Sequence, residues 1–140
     1  MGKHTLEIEY DYSFVLIGIS SHEKDYRICW ALNNKLDLNL IKTESLEIKE
    51  KKLDEPSHYS LFIDTREEEF SEYLLIANRS EKGILIPEQK QMDYFLIIKE
   101  EEIKEEKIKT IFKKIKEITL VQTAVRIDAS TLKSKQNLIL

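Results

Sequence analysis

At 140 residues and 41% hydrophobic, the chain is sized for one domain, residues 1–140, whose core needs neither a disulfide nor a metal. Its 26 acidic and 22 basic residues are interleaved, and the four arginines (Arg27, Arg66, Arg79, Arg126) are scattered. No basic stripe exists to grip a phosphate backbone, so nucleic-acid binding is not expected.

Met1 to Thr5 lacks the apolar core of a signal peptide and the arginines of a transit peptide. Leu6 stands where a myristoylation motif has Ser or Thr. Thr5 to Tyr10 alternates apolar and polar, which predicts a half-buried strand. Phe14 to Ile19 is apolar on both faces, too short to span a bilayer, and reads as a buried strand. Ser20 and Glu23 match a capping box, and Ile28, Cys29, Leu32 and Leu36 share one helical face. A helix is expected over 21–36. Tyr26, Ile28, Trp30 and Leu32 also alternate, so a strand is the rival reading.

Leu38 to Ile41 suits a short strand, and Thr43 to Pro56 a charged, solvated connection. His58 to Thr65 alternates and predicts a strand; Arg66 to Glu69 reads as a charged turn. Tyr73 to Asn78 is a second doubly apolar strand. A turn over 78–83, with Gly83 free to take a positive φ, would return Ile84 to Ile86 as its hairpin partner until Pro87 stops the ladder. Tyr94 to Ile98 is another buried strand. Ile108, Ile111, Phe112, Ile115 and Ile118 then mark an amphipathic helix, with Glu100 to Glu102 before it and Lys113, Lys114 and Lys116 at its end, as the helix dipole favours. Thr119 to Ile127 is β-branched and extended, and 129–136 suits a short helix behind an Asp128 cap, with Leu138 to Leu140 tucked into the core. The order predicts an α+β fold: a mainly antiparallel sheet of five or six strands packed by two or three helices.

Few residues are spaced for chemistry. Three glycines (Gly2, Gly18, Gly83) cannot build a Walker loop or a dinucleotide fingerprint. Gly18, between two isoleucines, suggests a close contact or a bulge. His22 and Cys29 are seven residues apart, about 10 Å along a helix and too far for a thiolate–base couple. Cys29 therefore reads as an inert core thiol, and His4, His22 and His58 as surface histidines. Asp64, Glu67, Glu68 and Glu69 could converge on a hard cation, but no glycine turns that loop, and a solvated turn is favoured. No serine sits in a nucleophile elbow. No catalytic set, metal site or cofactor is expected.

Ile86-Pro87-Glu88 followed by Met92-Asp93-Tyr94 resembles the signature of the IPExxxVDY family of uncharacterised bacterial proteins, with Met92 where that pattern has Val. Leu16 to Ile19, Asp25 to Trp30 with Asn33, and Leu75 to Asn78 are similar to further elements of that family. The resemblance spans most of the chain and implies no established activity, substrate or cofactor. From the residues themselves, Pro87 presets a turn, Glu88 or Asp93 can accept from free amides, and Tyr94 opens the next strand. The competing reading is an exposed Glu88–Asp93–Tyr94 patch that binds a partner. Two functions follow. One is a non-enzymatic interaction or adaptor domain with a protein partner or a second copy; the other is a small enzyme or metabolite-binding domain using Glu88, Asp93 and Tyr94. A cavity of about 300 Å³ or more beside those residues would mark the second, and an exposed apolar patch the first.

Overall fold

A computed structural model describes residues 11–50 and 52–140; the strand expected at Thr5 to Tyr10 lies outside them. The fold is α+β. Strands β1 (Val15–Ser20), β2 (Ile41–Lys42), β5 (Leu61–Arg66), β6 (Ser71–Ala77), β7 (Tyr94–Glu100) and β8 (Thr123–Ile127) form an antiparallel sheet in the order β2-β5-β6-β7-β1-β8. Strands β3 (Leu46–Ile48) and β4 (Ser57–Tyr59) make a small second sheet, and the helices are α1 (Asp25–Leu36) and α2 (Glu105–Lys116).

The doubly apolar strands are explained by cover on both faces. Ile17, Ile19, Tyr73, Leu75, Leu96 and Ile98 point to one side, where Ile28 and Leu32 of α1 and Ile108, Ile111 and Ile115 of α2 pack on them. Leu16, Leu74, Ile76, Phe95 and Ile97 point to the other. There Tyr59, Leu85, Ile86, Met92, Leu132 and Leu138 cover them without any long helix. Full burial of each such side chain contributes about 1.5–3 kcal/mol, so both layers hold the sheet.

Several expectations need correction. Ser20 is the last residue of β1 and makes no cap; α1 begins only at Asp25, preceded by Lys24 with no side-chain cap. The Glu23 amide donates instead to the Ser21 hydroxyl. The extended run expected from His58 divides at Ser60: β4 pairs with β3, while β5 pairs with β6 and β2. The charged connection after Thr43 contains β3, and the strand expected from Leu38 shrinks to Ile41–Lys42. Residues 84–86 do not form a strand; a single bridge, Arg79 to Ile84, is all that pairs. Gly83 does not take a positive φ; among the described residues Asp37, Phe70 and Glu102 do. β7 runs on through Glu100, so the acidic first turn of α2 is Glu105 and Glu106. The C-terminal helix is reduced to two 3-10 turns, Ala129–Thr131, capped by the Asp128 side chain, and Lys135–Leu138.

Gly18 has a specific reason. A Cβ there would sit 2.8 Å from the Met92 side chain and 3.1 Å from Ile127, so only glycine lets the 86–94 segment close on β1.

Candidate functional site

The segment from Ile86 to Tyr94 leaves the sheet, makes a 3-10 turn at Pro87–Gln89, and returns as β7. Pro87 begins that turn, where its missing N–H costs nothing and its fixed φ suits the geometry. The segment's organiser is Asn78, fully buried at the end of β6. Its side-chain amide donates to the carbonyls of Gln89 (3.0 Å) and Met92 (2.8 Å), and its Oδ1 accepts from the Ile86 N–H (2.8 Å). The Asn78 carbonyl accepts from Leu85, and its N–H donates to Asp93. One side chain thus replaces the ladder that a hairpin would have supplied.

Asp93 and Tyr94 tie this segment to the entry of α1. Asp93 Oδ2 accepts from the Ser21 N–H at 2.8 Å, and Oδ1 accepts from Arg79 Nε at 3.0 Å. Arg79 also donates to the Lys90 carbonyl. The Ser21 hydroxyl donates to Leu120, and the Tyr94 hydroxyl donates to the Glu23 carbonyl at 2.6 Å. Burial, with the nearby charges of Asp25, Asp93 and Glu23, pushes the Tyr94 phenol up to about 12.

Glu88 is exposed but not idle, for its carboxylate accepts from the Ser134 N–H at 2.7 Å. Partial burial opposes its charge; the amides of Glu88, Ser134 and Lys133 and the Ser134 hydroxyl outweigh that and hold the carboxyl below its ordinary value. Glu88 therefore anchors the C-terminal segment, while Asp93 and Tyr94 anchor the other side of the turn. The structure does not bring the three together around a gap. Among the described residues, the best-formed surface clefts are lined by other parts of the chain and not by Glu88, Asp93 or Tyr94.

The remaining candidates resolve simply. Cys29 is buried, and burial together with the Asp25 charge pushes its thiol up. Asp64 is buried and accepts from the Asn39 N–H and Arg66 Nε, while Glu69 faces Arg66, so these carboxylates do not converge on a cation. Among the described residues, no group of three or more His, Cys, Asp or Glu is placed to hold a metal ion. His22 and His58 are exposed.

What stands out instead is α1. Tyr26 and Trp30, one turn apart on its outer face, are 60% and 64% exposed. Ion pairs flank them: Arg27 with Glu23 at 3.3 Å and Lys42 with Asp25 at 3.7 Å. Sequence reasoning placed Trp30 in a rival strand pattern; the helical register alone sends Tyr26 and Trp30 away from Ile28 and Leu32. Asn78 and Arg79 also went without a role, because their partners lie 8 to 14 residues away across a turn.

Comparison of the chain with protein-family models, with curated proteins and with solved structures finds no match in any of the three. No helix among the described residues is long and apolar enough to cross a membrane.

Proposed function

We propose that this chain is a non-enzymatic protein-interaction domain that docks a protein partner on the outer face of α1. The observation that carries this reading is the exposure of Tyr26 and Trp30 as neighbours on one rigid helix. A few anchor residues supply most of the energy at protein interfaces, and tryptophan and tyrosine are enriched among them. Roughly 250 Å² of these two side chains remains in water, worth about 6 kcal/mol if fully buried, before the cost of association is subtracted. The flanking ion pairs would form the polar rim that such a patch needs.

The Ile86–Tyr94 segment serves this face indirectly. Its Asp93 and Tyr94 fix Ser21 and Glu23, and so set where α1 leaves the sheet. Its polar groups are spent on internal hydrogen bonds, which argues against a substrate site there.

Capture of binding proteins on the immobilised chain tests the reading, with Tyr26→Ser/Trp30→Ser and Glu88→Ala as parallel baits. A partner held by the parent and by Glu88→Ala, but lost from the double variant, is expected. A partner retained by the double variant and lost from Glu88→Ala would move recognition to the motif. Sedimentation of the purified chain adds the remaining arm: dimerisation abolished by the double variant would make the partner a second copy.

A further inference from the structure

Phe70 is the most exposed large apolar side chain among the described residues, at 83%, and it belongs to neither layer of the core. It stands at the tip of the β5–β6 hairpin, directly after the 3-10 turn Glu67–Glu69. Its backbone takes a φ of 50°, in the left-handed region that a bulky side chain enters only at a cost. A strained, exposed aromatic does nothing for the fold, and such outliers gather at functional sites.

The hairpin tip lies beside the turn that joins β7 to α2, because Ser71 pairs with Glu100. A cleft of about 700 Å³ there is lined by Phe70, Phe14, Ile103, Asp11, Glu101 and Glu102, among others. That volume lies within the range of binding sites. Glu102 is left-handed too, with a φ of 54°.

The charge of this surface is one-sided. Its neighbouring cations are already engaged: Arg66 with Asp64 and Glu69, Lys107 with Glu100, and Lys99 with the Leu140 carbonyl. Among the described residues, Glu67, Glu68, Glu101 and Glu102 have no ion-pair partner. A nucleic acid or an anionic lipid surface would meet these carboxylates and be repelled. The carboxylates are not grouped to hold a metal ion. An aromatic face among unpaired carboxylates suits a guanidinium or ammonium group, which the ring quadrupole and the opposite charge attract together.

We propose that this cleft docks a basic protein segment, whose Arg or Lys side chains lie against the Phe70 ring and pair with Glu101 and Glu102. The surface shares no residue with the outer face of α1, and neither proposal depends on the other.

The test is a backbone-amide NMR titration of the full chain with hexa-arginine, beside its neutral isostere hexa-citrulline. Saturable shifts centred on residues 11–14, 67–70 and 99–103 are expected with the arginine peptide alone, weakening as sodium chloride is raised. Phe70→Asn should weaken binding at least tenfold. It should leave the urea midpoint unchanged or higher, because asparagine tolerates the left-handed region and no core contact is lost. Glu101→Gln/Glu102→Gln should weaken binding by a similar factor, and Glu44→Gln/Glu81→Gln, outside the cleft, should not. Absence of saturation, equal binding of the citrulline peptide, or unchanged binding by Phe70→Asn would overturn the assignment. An equal loss from the Glu44/Glu81 control would reduce the binding to general charge attraction and overturn it as well. A lowered midpoint for Phe70→Asn would show that Phe70 serves the fold, with the same consequence.

Discussion

Replacing Asn78 by alanine should cost this protein a large share of its stability, although Asn78 lies outside the Ile86–Tyr94 segment that it organises. Asn78 is fully buried and makes three side-chain hydrogen bonds of 2.8–3.0 Å, to Ile86, Gln89 and Met92. Each such bond contributes about 1 kcal/mol net, and leaving a buried partner unsatisfied costs about 1–3 kcal/mol. The Ile86 N–H and the Met92 carbonyl would be orphaned; the Gln89 carbonyl still accepts from the Met92 N–H at 3.0 Å and loses less. The sum is a loss of about 3–4 kcal/mol, a large share of the roughly 5–15 kcal/mol that holds a domain together. Asn78→Asp should lose at least as much at neutral pH, since a carboxylate oxygen would then face two carbonyls. Urea unfolding followed by far-UV circular dichroism measures both. A loss below about 1 kcal/mol for Asn78→Ala, at an unchanged m-value, would refute the view that this side chain builds the segment.

The other predictions concern single groups. Tyr94→Phe removes the bond to the Glu23 carbonyl and should cost about 1 kcal/mol near neutrality. Because the folded phenol is raised to about 12, the unfolded chain ionises first at high pH. Stability from this group is complete below pH about 10 and is lost as pH rises towards 12, so the parent should lose about 2–3 kcal/mol more than Tyr94→Phe across that window. A parallel decline of the two proteins would remove the buried phenol from the account. Glu88→Ala should cost about 0.5–1 kcal/mol through the freed Ser134 N–H, more than a merely solvated glutamate would; an unchanged urea midpoint would count against that anchor. Cys29 should react slowly with a thiol reagent in the native state and quickly in urea, given its burial and raised pKa; rapid native labelling would show that α1 opens.

Continuous apolar runs made the centre of the sheet legible, because burial on two faces leaves a strong local pattern. The strands expected at Phe14 to Ile19, Tyr73 to Asn78 and Tyr94 to Ile98 overlap Val15–Ser20, Ser71–Ala77 and Tyr94–Glu100, and the amphipathic stripe of α2 was equally legible. Period two records which face a residue takes and not which strand it pairs with. Tyr59 and Leu61 both turn to the second face, so the change of partner at Ser60 left no trace. Side chains that reach across the fold were hidden for the same reason. The Ser20–Glu23 box is a complete local signal, but the Ser21 N–H donates to Asp93, 72 residues away, and α1 starts at Asp25. Residues 84–86 read as a strand because their apolar pattern is right. Asn78 takes the Ile86 N–H that a ladder would need. Pro87 at the start of a turn and Tyr94 at the start of the next strand were readable from local chemistry; the bond from Glu88 to Ser134 joins distant segments and was not.

The exposure of Trp30, the chain's single tryptophan, is the most direct test of the proposed docking face. Acrylamide quenching of its fluorescence should proceed in the dilute protein at a rate constant near that of a free indole in the same buffer. Addition of a partner obtained by capture should reduce that rate several-fold. A tryptophan already shielded in the dilute protein, or one whose quenching is unchanged in the bound complex, would contradict the assignment of recognition to α1.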